Sequence, residues 1–365
     1  MFPHLISFDD LRSNTLDYLA SMITSSNAQG CYRYASSQRV PVLYASLYAV
    51  LARHLYGDIK NLTNDECEAW SAYICAFQED DGLFRDPAVA NEIAEIEDWW
   101  GWRHMTLHVA MALSALGTIV PSPFVFLEPF FDPDYLVSWL ATRDWDRRPD
   151  FVSNEVQNIG ALLQYCRDFH NDVRAGHVVD CLLDWLEAEQ DPETGLWGGS
   201  CDTPPLLSRG VQTGYHLWLL FFYDARPVKY EQRIVDNVLK TQNKLGGFGV
   251  SLNSSACEDI DSIDPLVRIL SISDYRREEV QSALRRAFKW VLANVNEDGG
   301  FVFRRNEPFV YGHEHMASSE NESAMFPTWF RTLSLAYLSQ AVDIPGWPAD
   351  GWQWIRCPGY QFWTN

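Results

Sequence analysis

The stretch Ala256–Leu270 reads ACEDIDSIDPLVRIL and places Glu258, Asp259, Asp261 and Asp264 within seven residues. Like charges this close repel, so the fold must pair them or keep one protonated. A carboxyl held protonated in an apolar setting is a general acid in waiting. A structural role competes for part of the cluster. Asp264 before Pro265 reads as a helix cap followed by the first helical residue, and Glu258 as a solvated side chain. That leaves Asp259 and Asp261, two residues apart, at the opening of a helix.

Other polar and aromatic side chains gather at the starts of helical segments. One group is Trp99, Trp100, Trp102, Arg103 and His104; another is Ser153, Asn154 and Glu155. A third holds Arg209, Gln212, Tyr215 and His216, and a fourth holds Tyr311, His313, Glu314, His315, Asn321 and Glu322. Helix starts favour Asn, Asp and Ser. That preference covers Asn154, Asp264 and Asn321, but neither the histidines nor the Trp cluster. Ionisable and aromatic groups at several helix mouths are the layout of a pocket. YGHEHM, Tyr311–Met316, lacks the HExxH spacing of a metalloprotease. Its two histidines flank Glu314 and stand beside Tyr311.

The elements that must position these groups repeat along the chain. An apolar helical end, a Gln or Asn, a polar turn, a Gly and an aromatic recur as FQEDDGLF (from Phe77), EQDPETGLW (from Glu189), TQNKLGGFG (from Thr241) and NVNEDGGF (from Asn294). The leading positions 78, 190, 242 and 294 are separated by 112, 52 and 52 residues. The double gap predicts a degenerate copy at WLATRDWD, Trp139–Asp146, and SNAQGCY, Ser26–Tyr32, extends the series to six. Each turn precedes an apolar segment of helical length: 40–55, 103–116, 154–169, 211–223, 263–273 and 321–340. The segments before the turns, such as CLLDWLEAE and VQSALRRAFKWVL, mix apolar and charged positions at helical spacing. The expectation is an all-α chain of six helical hairpins, closed as a single (α/α)6 toroid of about twelve helices over residues 1–365.

Bulk properties narrow the class. The 365 residues are 47% hydrophobic, enough for a large core. A formal charge of −21 disfavours nucleic acid and anionic membranes as partners. No run approaches the roughly 20 apolar residues of a membrane span, and residues 1–13 lack a basic signal region. Eight scattered cysteines read as reduced, buried thiols of a cytoplasmic protein. Aromatics form 14% of the chain, with 15 Trp, more than helix packing asks for.

The Gln-x3-Gly-x-Trp/Phe turn after an apolar helix resembles the QW repeat of terpene cyclases and of protein prenyltransferase β subunits. Three chemistries stay open. Asp259-Ile-Asp261 resembles the DxDD acid motif of class II terpene cyclases, with Ser262 at the fourth position. This implies Asp261 as the acid that protonates an alkene or epoxide, with Asp259, His313 and His315 tuning it. A substrate pocket would then draw on Trp99, Trp100, Trp102, Arg103, His104, Arg209, Tyr215, His216, Glu258, Tyr311, Glu314 and Glu322. Such chemistry needs no redox cofactor; magnesium enters only with a diphosphate substrate. In reversed order, Cys257, Asp259 and His313 or His315 resemble the zinc ligands of prenyltransferase β subunits, the weakest of the three. Toroids also serve as polysaccharide lyases, epimerases and glycoside hydrolases, whose acid, base and stacking groups this composition also supplies. The substrate is therefore a small molecule or an oligosaccharide. A non-catalytic binding scaffold is the remaining alternative.

Overall fold

In a computed structural model covering residues 6–24, 29–96, 99–353 and 362, six helix pairs follow one another along the chain. They are α1 (Phe8–Ser21) with α2 (Leu43–Leu55), α3 (Asn64–Cys75) with α5 (Trp102–Ala115), and α6 (Pro133–Ala141) with α7 (Pro149–Asp168). Next come α8 (Val173–Glu189) with α9 (Pro204–Tyr223), α10 (Glu231–Lys240) with α11 (Ala256–Ile272), and α12 (Arg277–Leu292) with α13 (Met325–Ala341). A short α4 (Glu92–Ile96) lies within the second pair. Strand among the described residues is confined to the two-residue β1 (Phe309–Val310) and β2 (Ala317–Ser318), which pair antiparallel. The SNAQGCY turn lies partly outside the described residues, at 26–28.

The second helix of each pair is the more deeply buried type. Every residue of α5 except Arg103 is buried, and every residue of α13 except Gln340 and Ala341. The first helices are amphipathic. On α12 the buried residues are Val280, Ala283, Leu284, Ala287, Phe288, Val291 and Leu292, a single apolar stripe.

The described residues divide into two compact units. One comprises the described residues up to Tyr73 together with 242–353. In it α13 packs on α2, α11 and α12. The other comprises Ile74–Thr241 with Phe362, and in it α7 packs on α5, α8 and α9.

The repeated turn has a common geometry. Gln242 donates from Nε2 to the carbonyls of Gly246 and Ala283, both at 2.8 Å. Gln190 does the same to Gly195 and Lys229, and Gln78 to Gly82 and Ser122. Each Gln thus ties its own turn to a second segment. The fourth copy is offset from the expected alignment by one residue. Val295, not Asn294, pairs with the turn aromatic Phe301 as Gln78 pairs with Phe84. Gly299 has φ +85°, and a Cβ there would stand 2.2 Å from the Asn14 carbonyl oxygen, so only Gly fits.

Four helix starts differ from the sequence expectation for local reasons. Asp264 does not cap a helix, because α11 begins eight residues earlier at Ala256. Ser255 and Glu258 form a capping box there, satisfying the first-turn donors. Helix α13 begins at Met325 rather than Asn321, whose φ of +59° is left-handed. Helices α7 and α9 begin earlier than the apolar runs, each with Pro in its first turn.

The thiols also differ from expectation. All seven described cysteines are free, yet only Cys166 is buried and the rest are partly exposed.

Candidate functional site

The carboxylates of α11 separate into two kinds. Asp259 is saturated. Its Oδ1 accepts from the Phe248 amide and the Ser254 hydroxyl, its Oδ2 from the Trp290 indole and from Arg331 Nη1, all at 2.9 Å. Asp259 and Arg331 are both at 0% exposure. Burial pushes the Asp259 carboxyl up, and Arg331 pulls it back. Arg331 also donates to the carbonyls of Val302 and Phe303 at 2.9 Å.

This arrangement has counterparts in other repeats. The amide of the turn aromatic donates to Thr106 Oγ1 in one repeat (from Phe84) and to Thr328 Oγ1 in another (from Phe301), both at 3.0 Å. Asp259 holds the same tie to Phe248. Asp259 thus ties the turn to α11, and its own carboxyl has no proton to offer while it is paired with Arg331.

Asp261 is the opposite case. It is 3% exposed, and no hydrogen bond or ion pair reaches its carboxyl among the described residues. Burial raises the carboxyl well above the usual range, and Glu258, Asp259 and Asp264 push the same way. Meanwhile every neighbouring carboxylate has a cation. Glu258 pairs with Arg304 at 3.0 Å, Asp259 with Arg331, and Asp264 with Arg268. Pro265 sits one turn on. Lacking an N–H, it cannot donate to the Asp261 carbonyl, so the helix ladder is interrupted at this residue.

Asp261 and Arg268 share one stripe of α11. Arg268 lies two turns further along, and its Nη2 donates to the Tyr337 hydroxyl at 2.6 Å. On α13, Tyr337 shares a stripe with Phe326 and Phe330. Phe326 is the hub of an aromatic cluster, with ring centroids 4.3 Å from Tyr311, 4.5 Å from Phe330 and 5.4 Å from Tyr48. Tyr48 stacks in turn on Trp329 and on Tyr44. Arg268, on the stripe of α11 that carries Asp261, thus touches the aromatic stripe of α13 at Tyr337.

The other expected residues of this unit are placed as follows. The β1–β2 hairpin carries His313 and His315, whose rings are 5.0 Å apart, and His313 Nδ1 accepts the His315 amide. Both are half-buried and Glu314 is exposed. Glu258 is the capping-box residue rather than a solvated side chain. Glu322 is half-buried and engaged by the fold: it accepts from Ser36, Ser37 and Ser319 at 2.6–2.8 Å. Both therefore hold the fold rather than offer a free group to a substrate. Among the described residues no three His, Cys, Asp or Glu side chains gather to hold a metal ion, so Cys257, Asp259, His313 and His315 do not form a ligand set.

The remaining expected residues lie in the other unit. Trp100 is at 0% exposure and Trp102 at 5%, with its indole on Glu95, so both are core. Trp99 is half-buried and packs edge-on against Phe151. Arg103 lies over Phe130, and Arg209 pairs with Asp150 at 3.8 Å. Tyr215 is buried. His104 is buried against His108, ring centroids 4.2 Å apart, while His216 is half-buried against Ser153 and Asn154. Burial, with His108 and His216 adding to it, holds His104 well below the usual histidine value; burial likewise brings His108 to about 4 and His216 to about 3. All three are neutral at pH 7.

Sequence reasoning missed Arg331, Trp290 and Tyr337. Arg331 was the most legible of these: it is a lone charge inside the apolar run MFPTWFRTLSLAYL, and a buried charge requires a partner.

No family model and no curated protein sequence matches this chain. Solved structures do. A polysaccharide lyase aligns over 89% of this chain and 95% of its own, with a TM-score of 0.50 and 10% identity. A type II terpene cyclase from Scytonema aligns over 90% and 96%, with a TM-score of 0.49 and 13% identity. ent-Copalyl diphosphate synthase from Streptomyces platensis aligns over 80% of this chain, which spans 50% of the synthase, with a TM-score of 0.46 and 14% identity. At such identities the likeness concerns the fold, and the fold is of the all-α, α/α-toroid type. No helix among the described residues is long and apolar enough to cross a membrane.

Proposed function

We propose that this protein is a terpene-cyclase-like enzyme that starts carbocation chemistry by protonating an uncyclised isoprenoid, with Asp261 as the acid. The observation that carries this reading is the isolation of Asp261. Three of four clustered carboxylates have a dedicated arginine, and the fourth has none while being buried. Burial and three neighbouring carboxylates favour the protonated form of such a carboxyl, a proton it can give away. In the step proposed, the proton leaves the Asp261 carboxyl for a terminal alkene carbon, and the alkene π pair forms the new C–H bond. A tertiary cation and the Asp261 carboxylate result. Attack by the next alkene closes a ring, and loss of a proton from carbon restores a double bond, so mass is unchanged. The faces of Phe326, Phe330, Tyr48 and Tyr311 suit a travelling cation. The reaction needs no redox cofactor and no metal; magnesium would enter only as the partner of a diphosphate head group.

The experiment compares wild type with Asp261→Asn on linear isoprenoids (squalene and prenyl diphosphates) and, in parallel, on uronate-containing oligosaccharides. Isomeric cyclic products from the wild type alone support the reading. Unsaturated or shortened sugars would replace it with carbohydrate chemistry. Isoprenoid products undiminished in Asp261→Asn would remove Asp261 from the reaction.

A further inference from the structure

The second unit holds a polar seam that the proposed acid chemistry does not use. Helix α7 turns Ser153, Gln157 and Gln164 to one stripe, within about 40° of each other. Both ends of that stripe reach α9. Ser153 contacts His216 at 2.9 Å, and Gln164 donates to the Leu220 carbonyl at 2.9 Å. Gln157 lies between them at 0% exposure, and neither its Nε2 nor its Oε1 has a partner. Gln164 Oε1 is also buried without one. A buried primary amide with every site unsatisfied is costly, and native folds rarely keep one without a use.

His216 is oriented to match. The Ser153 hydroxyl donates to the Asp150 carbonyl at 3.0 Å, so it accepts from His216 Nδ1–H. The lone pair is therefore on Nε2. Its neighbour there, Asn154 Nδ2, is 3.5 Å away, long for a hydrogen bond. His216 is half-buried whereas Gln157 is fully buried, so the histidine marks the more accessible end of the seam. The charged groups around it are already matched, Glu155 with Arg143 and Arg209 with Asp150, each at 3.8 Å. What remains is neutral: an imidazole nitrogen with only the long Asn154 contact and, one turn inward, the unpartnered amide of Gln157.

We propose that the α7–α9 seam binds an uncharged, hydroxyl-bearing ligand, one hydroxyl donating to His216 Nε2 and a neighbouring oxygen taken by the Gln157 amide. Ser153, which touches His216, stands one turn from Gln157 on α7, about 6 Å along the helix, a span that two adjacent hydroxyls can bridge. Arg209 and Asp150, the charged pair at this end of the seam, engage each other, which favours a neutral ligand over an anion or an ammonium.

The test uses the full chain with methyl β-glucoside as the neutral probe and glucuronate as its anionic counterpart. Binding is read from the His216 imidazole resonances, in wild type and in Gln157→Met, whose side chain is similar in size and apolar. The glycoside should give a saturable shift at His216, and glucuronate should bind at least ten-fold more weakly. Gln157→Met should abolish the shift and melt at the same temperature or higher, because an unsatisfied amide has been removed. Three results overturn the proposal. They are no saturable shift in wild type, a shift that survives in Gln157→Met, and a Gln157→Met melting point several degrees lower, which would show the amide to be satisfied within the fold. The readout is independent of Asp261, so failure of the acid chemistry leaves it standing and the reverse.

Discussion

Replacing Arg331 by Met would leave the Asp259 carboxylate at 0% exposure with no counter-charge. Removing one partner of a buried ion pair costs about 3–5 kcal/mol. The Val302 and Phe303 carbonyls lose their donor as well, adding on the order of 1 kcal/mol after overlap. The expected loss is therefore about 4–6 kcal/mol, a large part of the ordinary 5–15 kcal/mol of a folded domain. The double variant Asp259→Thr/Arg331→Met behaves differently. Threonine already accepts the turn amide at positions 106 and 328, and removing both charges removes the uncompensated one. Trp290 and Ser254 lose an acceptor, so the double variant should still lose about 2 kcal/mol. Together with the Asp259→Thr single variant, these form a cycle whose coupling energy isolates the pair. Urea unfolding followed by Trp fluorescence and far-ultraviolet circular dichroism supplies the four free energies. An Arg331→Met loss below about 1 kcal/mol, or a double variant as unstable as the two singles added, would refute the assignment of a buried ion pair.

The remaining expectations can be checked with few proteins. The raised carboxyl of Asp261 contributes stability that is full below the unfolded value near 3.9 and is lost as pH rises toward the folded value. The melting temperature of Asp261→Asn should therefore gain on wild type between pH 4 and 7, while catalysis is abolished; a constant difference across that range would contradict a protonated acid. His216 and His108 act in the other direction. Their folded values of about 3 and about 4 mean stability present above 6.5 and lost on acidification toward them, so His216→Asn should lessen the fall in melting temperature between pH 6.5 and 4. Gln242→Leu strips donors from two carbonyls and should cost about 1–3 kcal/mol in the same urea assay. Gly299→Ala meets both the +85° φ and the Asn14 carbonyl and should cost more than about 2 kcal/mol, or fail to give folded protein.

Helical content and repeat were legible because they rest on period and turn chemistry, both local. The Gln-to-Gly turn fixed most hairpins to within a few residues. It failed at Asn294, where the structural equivalent of Gln is Val295 and composition gives no sign of it. The Asp cluster was legible as unusual, but its division of labour was not. Which carboxylate is paired depends on Arg331, 72 residues from Asp259, and on Trp290 from a third helix. Local rules pointed to Asp264–Pro265 as a helix start, and the Ser255–Glu258 box overrode them. The Trp99–Trp102 cluster looked like a lining and is largely core, because burial follows from packing against α4 and α7 rather than from residue type. Gln157 left no trace in the sequence; an amide is unremarkable until its surroundings withhold partners.

The tie between three of the turns and their deeply buried helices has a consequence for how activity can arise in such a chain. Counting two residues on from the tie gives His108 after Thr106, Phe330 after Thr328 and Asp261 after Asp259. Corresponding backbone positions thus carry an imidazole, a phenyl ring and a carboxyl. The tie anchors the backbone whatever follows it, so the residue two places on is free to vary without redesign of its support. A repeat of this kind acts as a set of sockets, and a new reaction needs only a different side chain in one of them.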